Sequence, residues 1–168
     1  MKRAGNSGEI ALENFKIDSS GWHLTDLETA WGSEVKTNPE RDIWEITLPD
    51  GKSEQLFSYG AAIREVAKAG KKLPDMKDWT KLLTRINPDI DISGNWQDDE
   101  TVRKLLSPVF VGFRHSKTSS YYDQGIRAYY WSKGPSRSVG YAIGISATQV
   151  APVLCGHSNC GFSVRCVE

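Results

Sequence analysis

The sharpest alternation of apolar and polar positions lies in the C-terminal third of the chain. Between Tyr141 and Ser146 the large residues Tyr141, Ile143 and Ile145 alternate with Ala142, Gly144 and Ser146, a period of two that predicts a strand with the sets on opposite faces. The large set is expected to face a core and the small set to be free. In the last stretch Phe162, Val164 and Cys166 alternate with Ser163 and Arg165, predicting a closing strand. Ala147 to Cys160, rich in Pro, Gly, Ser and Asn, reads as an irregular loop joining the two.

Upstream, Ile43 to Leu48 alternates, Pro49-Asp50-Gly51 supplies a turn, and Ser53 to Phe57 returns, so a hairpin is expected. Ser58 can cap a helix carrying Tyr59, Ala62, Ile63, Val66 and Ala67 at helical spacing and ending at Gly70. A second helix is predicted with Asp75 as N-cap, Asp78 in the capping-box position and Trp79, Leu82, Leu83 and Ile86 as its apolar stripe. Asn87 to Gln97 reads as loop, and Asp98-Asp99-Glu100 as the start of a helix with Val102, Leu105 and Leu106 inward. Val109 to Phe113 then predicts the first strand of a C-terminal sheet, and His115 to Gly125 a polar loop bearing tyrosines. Two or three helices packed on a small antiparallel sheet with long loops make an α+β fold. Residues 1–20 are polar enough to be read as an N-terminal arm, with one domain over 21–168.

Composition narrows the function. The 168 residues carry no net charge and scattered Lys and Arg, so the basic footprint of a nucleic-acid-binding protein is missing and no nucleic-acid partner is expected. No apolar run is long enough to cross a bilayer, and Met1 to Ile10 lacks the apolar stretch of a secretion signal. The three cysteines fall within Cys155 to Cys166, an odd number whose pairing depends on the redox compartment. Cys166 reads as a buried small hydrophobe. His23 has no His or Cys near it and reads as a surface histidine.

The runs Ala128-Tyr129-Tyr130-Trp131-Ser132, Tyr141 to Pro152 and Gly161 to Val167 resemble the variable proteins of diversity-generating retroelements, which display hypervariable residues on a C-type-lectin-type fold. Lys72-Leu73-Pro74-Asp75 with Asp78-Trp79 and Leu82-Leu83 is similar to a signature shared by wider relatives, including formylglycine-generating enzymes. The resemblance implies a C-type-lectin-type fold and a ligand-binding, non-enzymatic protein of a phage, virus or microbe. It implies display on a cell surface or virion, with an unknown macromolecular ligand, protein or glycan, and a variable region within 115–160. Laid on the family pattern, the mutable positions are Ala142, Gly144, Ser146, Ala151, Val153, Leu154, Cys155, Gly156, His157, Asn159 and Cys160, all drawn from residues that adenine miscopying of Asn codons yields. Tyr122, Asp123, Ile126 and Arg127 join them as candidates on an adjoining loop, with Arg137, Val139 and Gly140 as weaker ones. The resemblance leaves homo-oligomer formation open.

Other chemistries find less support in the residues. Cys155 and Cys160 resemble the two-cysteine copper site of formylglycine-generating enzymes, and soft thiolates do bind Cu(I), so a small copper-thiol oxidase is the alternative enzymatic reading. A further alternative is a non-diversified surface domain of the same fold. A zinc site built on those cysteines and His157 lacks a fourth ligand. The Glu-Pro-Asn and Trp-Asn-Asp motifs of calcium-dependent lectins are missing, and Trp96-Gln97-Asp98 reads as a helix cap. No catalytic residue, metal or cofactor is therefore expected.

Overall fold

Pro49-Asp50-Gly51 turns the chain as its composition predicts. Gly51 takes φ +90°, the left-handed region glycine enters without strain, and the Lys52 amide donates to Asp50 Oδ1. The turn joins β1 (Ile43–Thr47) to β2 (Ser53–Phe57), an antiparallel pair in the register Ile43 to Phe57 and Thr47 to Ser53. The computed structural model describes residues 36–165 apart from 69, 71, 93–94, 100–107 and 137, and not the side chains of Ile86, Val153 and Cys155. The N-terminal arm, most of the helix expected from Asp98 onward, Arg137 and Cys166 lie outside the described residues.

The first two predicted helices form. In α1 (Tyr59–Lys68) the Ser58 hydroxyl accepts from the Ala61 amide, and Tyr59, Ala61, Ala62 and Val66 are buried. Ala67, placed on the apolar stripe from spacing, is exposed. Gly70 follows at φ +74°. In α2 (Met76–Ile86) the capping box is complete: Asp75 Oδ1 accepts from the Asp78 amide at 2.8 Å and Asp78 Oδ2 from the Asp75 amide at 3.1 Å. Burial, and the charge of Asp75 alongside, push the Asp78 carboxyl above its ordinary range.

The central sheet has four antiparallel strands in the order β3 (Gln97–Asp98), β8 (Gln149–His157), β7 (Val139–Ser146), β6 (Arg127–Ser132). A two-stranded ribbon, β4 (Phe113–Arg114) with β5 (Tyr121–Tyr122), stands beside it. The protein is thus α+β, with two helices and small antiparallel sheets among the described residues. Tyr130, Ile143, Ile145 and Val150 on one face of the sheet pack with Trp79, Leu82 and Leu83 of α2. On the other face Tyr129, Trp131 and Ala142 pack with Phe57, Tyr59 and Phe162.

Four expectations are corrected. Ala147 to Cys160 is no loop: most of it is β8, joined to β7 by a tight turn at Ala147-Thr148. Pro152, which lacks an amide to donate, falls where the register shifts; Ala142 pairs with Leu154 and Gly144 with Ala151, leaving Pro152 and Val153 opposite Ile143 in a bulge. Second, the strand expected at Val109 to Phe113 shrinks to Phe113–Arg114, because Gly112 sits at φ +73° and breaks the extended run. Third, the stretch read as loop up to Gln97 and as a helix start at Asp98 holds a short strand, Gln97 and Asp98 pairing with Val150 and Gln149. Fourth, over residues 161–165 isolated bridges take the place of the expected closing strand. Ser163 and Arg165 are buried like Phe162 and Val164, because Gly161 to Ser163 threads between elements, bridging Arg114, Phe57 and Tyr130 in turn.

Candidate functional site

Alternation along β7 places Gly140, Ala142, Gly144 and Ser146 on the face opposite Tyr141, Ile143 and Ile145, but that small face is covered. Gly140 lies beneath Trp131 and Tyr59; a Cβ there would come within 2.7 Å of both rings. Gly144 lies beneath Trp96 and Leu154, and Ala142 is closed to solvent. Small residues stand here because aromatic rings occupy the space above them. The expectation of a free outward face is corrected accordingly.

Part of this covered face opens into a hollow of about 370 Å³, lined by Phe113, His115, Tyr129, Ala142, Leu154, His157, Cys160 and Phe162. That volume is at the lower end of the range for small-ligand pockets. Its aromatic walls support one another: Phe113 meets Tyr129 edge-on at 5.3 Å, and Tyr129 stacks on Phe162 at 5.6 Å. Tyr122, 43% exposed, extends this surface outward, meeting Phe113 at 5.6 Å and the His115 ring at 5.8 Å.

Two imidazoles are set into the wall in the same way. His115 Nδ1 accepts from the Lys117 amide and His157 Nδ1 from the Asn159 amide, each at 3.2 Å. A neutral imidazole whose Nδ1 accepts carries its proton on Nε2, so each ring keeps one donor for a visitor. The Tyr129 hydroxyl is already engaged, donating to Asp123 Oδ2 at 2.7 Å. Burial, reinforced by the Asp123 carboxylate, pushes the Tyr129 phenol up to about 12. Tyr129 therefore holds its proton and presents an apolar ring face.

The candidates named from sequence divide by position. Ala142, Leu154, His157 and Cys160 meet at the hollow, where Cys160 is a free, buried thiol. Asn159 is exposed beside His157, and Ile126 is 59% exposed on the turn before β6. Asp123, at φ +62°, and Arg127, stacked 4.4 Å over Trp96, hold the framework. Ser146 closes the β7–β8 turn, its hydroxyl accepting from the Gln149 amide at 3.0 Å. Ala151 is buried opposite Gly144, and Val139 is 44% exposed at the start of β7. For Val153, Cys155 and Gly156 only register is described: Cys155 lies opposite Tyr141, Gly156 opposite Gly140, and Val153 in the bulge. Among the described residues no group of three His, Cys, Asp or Glu is close enough to hold a metal ion, and no helix is long and apolar enough to cross a membrane.

Phe113, His115, Tyr129 and Phe162, which supply half the lining, carry no site signal of their own in the sequence. Phe162 was legible only as core, and His115 only as the start of a loop; the His115-to-Ser120 turn that brings its ring to Tyr122 left no clear period. A larger hollow of about 650 Å³ lies between the β1–β2 turn and Gln124-Gly125. Among the described residues it has no aromatic wall, and its Asp50 carboxylate accepts from the Lys52 amide, so the aromatic hollow is the stronger candidate. Compared with known proteins, the chain matches no family model, no curated protein and no solved structure.

Proposed function

We propose that this protein recognises a macromolecular ligand through the surface around the aromatic hollow, and that this surface is diversified as in the retroelement variable proteins it resembles. The observation that carries the reading is a convergence. Ala142, Leu154, His157 and Cys160, nominated from alternation and resemblance, line one hollow whose remaining walls are interlocked aromatic rings. A packed aromatic floor under an exposed polar rim suits recognition without chemistry, since little ordering entropy is spent on docking. The C-type-lectin-type fold belongs to the same proposal, supported by two helices against an antiparallel sheet and a closing segment that returns beside β2.

Diversification on this scaffold acts on exposed positions, Tyr122, His157 and Asn159 around the hollow and Ile126 on the turn before β6. At Gly140 the buried rings of Trp131 and Tyr59 exclude a side chain. Sequencing the DNA flanking the gene tests the reading. A near-identical repeat differing at adenines, beside a reverse-transcriptase gene, is expected; flanking DNA without either would overturn diversification.

A further inference from the structure

Resting on that reading of the hollow, we propose that its ligand is a protein segment presenting an aromatic ring with a carboxylate next to it, the ring entering the hollow and the carboxylate meeting the two imidazoles. The ring is selected by the walls. Phe113, Tyr129 and Phe162 offer faces and edges already arranged at 5.3 to 6.0 Å from one another, spacings at which a further ring can pack offset or edge-on. The carboxylate is selected by the donors. His115 and His157, both in the lining, each spend Nδ1 on a backbone amide of their own turn, so Nε2–H is the donor each has left. Among the described residues no carboxylate lines the space to repel an anion, and Asp123, beside Tyr129, is bound by the Tyr129 hydroxyl. Leu154 and Ala142 leave the rest of the lining apolar, which disfavours a sugar with hydroxyls on every side.

Titrating the isotope-labelled full chain with four probes, followed by amide chemical shifts, tests this. N-acetyl-tryptophan carries a terminal carboxylate, N-acetyl-aspartyl-tryptophan amide a side-chain carboxylate, N-acetyl-tryptophan amide none, and methyl mannoside stands for a glycan. The first two are expected to shift the amides of His115, Tyr129, His157 and Phe162 and to bind about tenfold more tightly than the uncharged amide, as a hydrogen bond to a charged group implies. Whichever of the two binds more tightly identifies the carboxylate's source. His157→Leu should remove most of that preference, and His157→Gln, which keeps a donor, should restore part of it, both with the well-dispersed spectrum of a folded chain. Equal binding of acid and amide, or mannoside shifting these amides where the acids do not, would overturn the ligand class and leave the hollow as the site. Shifts confined to other surfaces, or none with any probe, would overturn both.

Discussion

At Gly144 an added methyl would stand 2.6 Å from the edge of Trp96 and 2.9 Å from a Leu154 methyl. Both obstacles are side-chain ends, so residues 144 and 154 share one volume. Gly144→Ala is expected to cost about 1–3 kcal/mol through overpacking, read from urea unfolding. Adding Leu154→Ala should recover part of that cost, with a coupling of about 1 kcal/mol; strict additivity would mean that the two do not share the space. Tyr129 gives a pH prediction. Its phenol is held up to about 12 in the folded protein against an ordinary 10.0, so between those values the unfolded chain gives up its proton first. Stability is then intact below pH 10 and falls as pH rises towards 12. Tyr129→Phe should show a shallower decline than the parent across that window in chemical denaturation, whereas parallel curves would place the phenol in water. Of these features the alternation of Ala142 and Gly144 with Ile143 and Ile145 was legible in the sequence, but the reason for small residues was not. It lies in Trp96, brought across the sheet from nearly fifty residues earlier.

The elements divide by how local their causes are. Helix α2 is written in adjacent residues, with Asp75 and Asp78 closing its first turn and Trp79, Leu82 and Leu83 facing inward. Asp75→Ala should cost about 1 kcal/mol in unfolding free energy, while Lys77→Ala, on the exposed side of the same turn, should change it by less than about 0.5 kcal/mol. Strand β8 is the opposite case. Pro152 and the small residues around it argue against a strand when read alone, and only pairing with β7 in a bulged register accommodates them. Hydrogen exchange separates the two descriptions. Amides of β8 that face β7 should exchange at least about tenfold more slowly than those of the exposed Lys117-to-Ser120 turn, and equal rates would restore the loop.

Across the whole molecule the closing segment is the tie. Gly161 to Ser163 bridges to β4, β2 and β6, and Phe162 packs against Trp131, Tyr129 and Phe113. The α+β class, the hairpin and both helices could be read from the chain because each rests on neighbouring residues. The hollow could not, since its walls come from β4, β6, β7, β8 and the closing segment, and no local pattern records that they meet. The division of this assembly is into a framework that cannot change and exposed positions that can. Its most direct test is a displayed library of all single substitutions at Tyr129, Phe162 and Gly140 and at Tyr122, Ile126, His157 and Asn159, sequenced before and after protease challenge. Tyr122, Ile126, His157 and Asn159 should tolerate most residues, and the other three should keep few beyond their own. Equal intolerance in the two sets would contradict the division, and with it the claim that replaceable positions surround the hollow on a fixed frame.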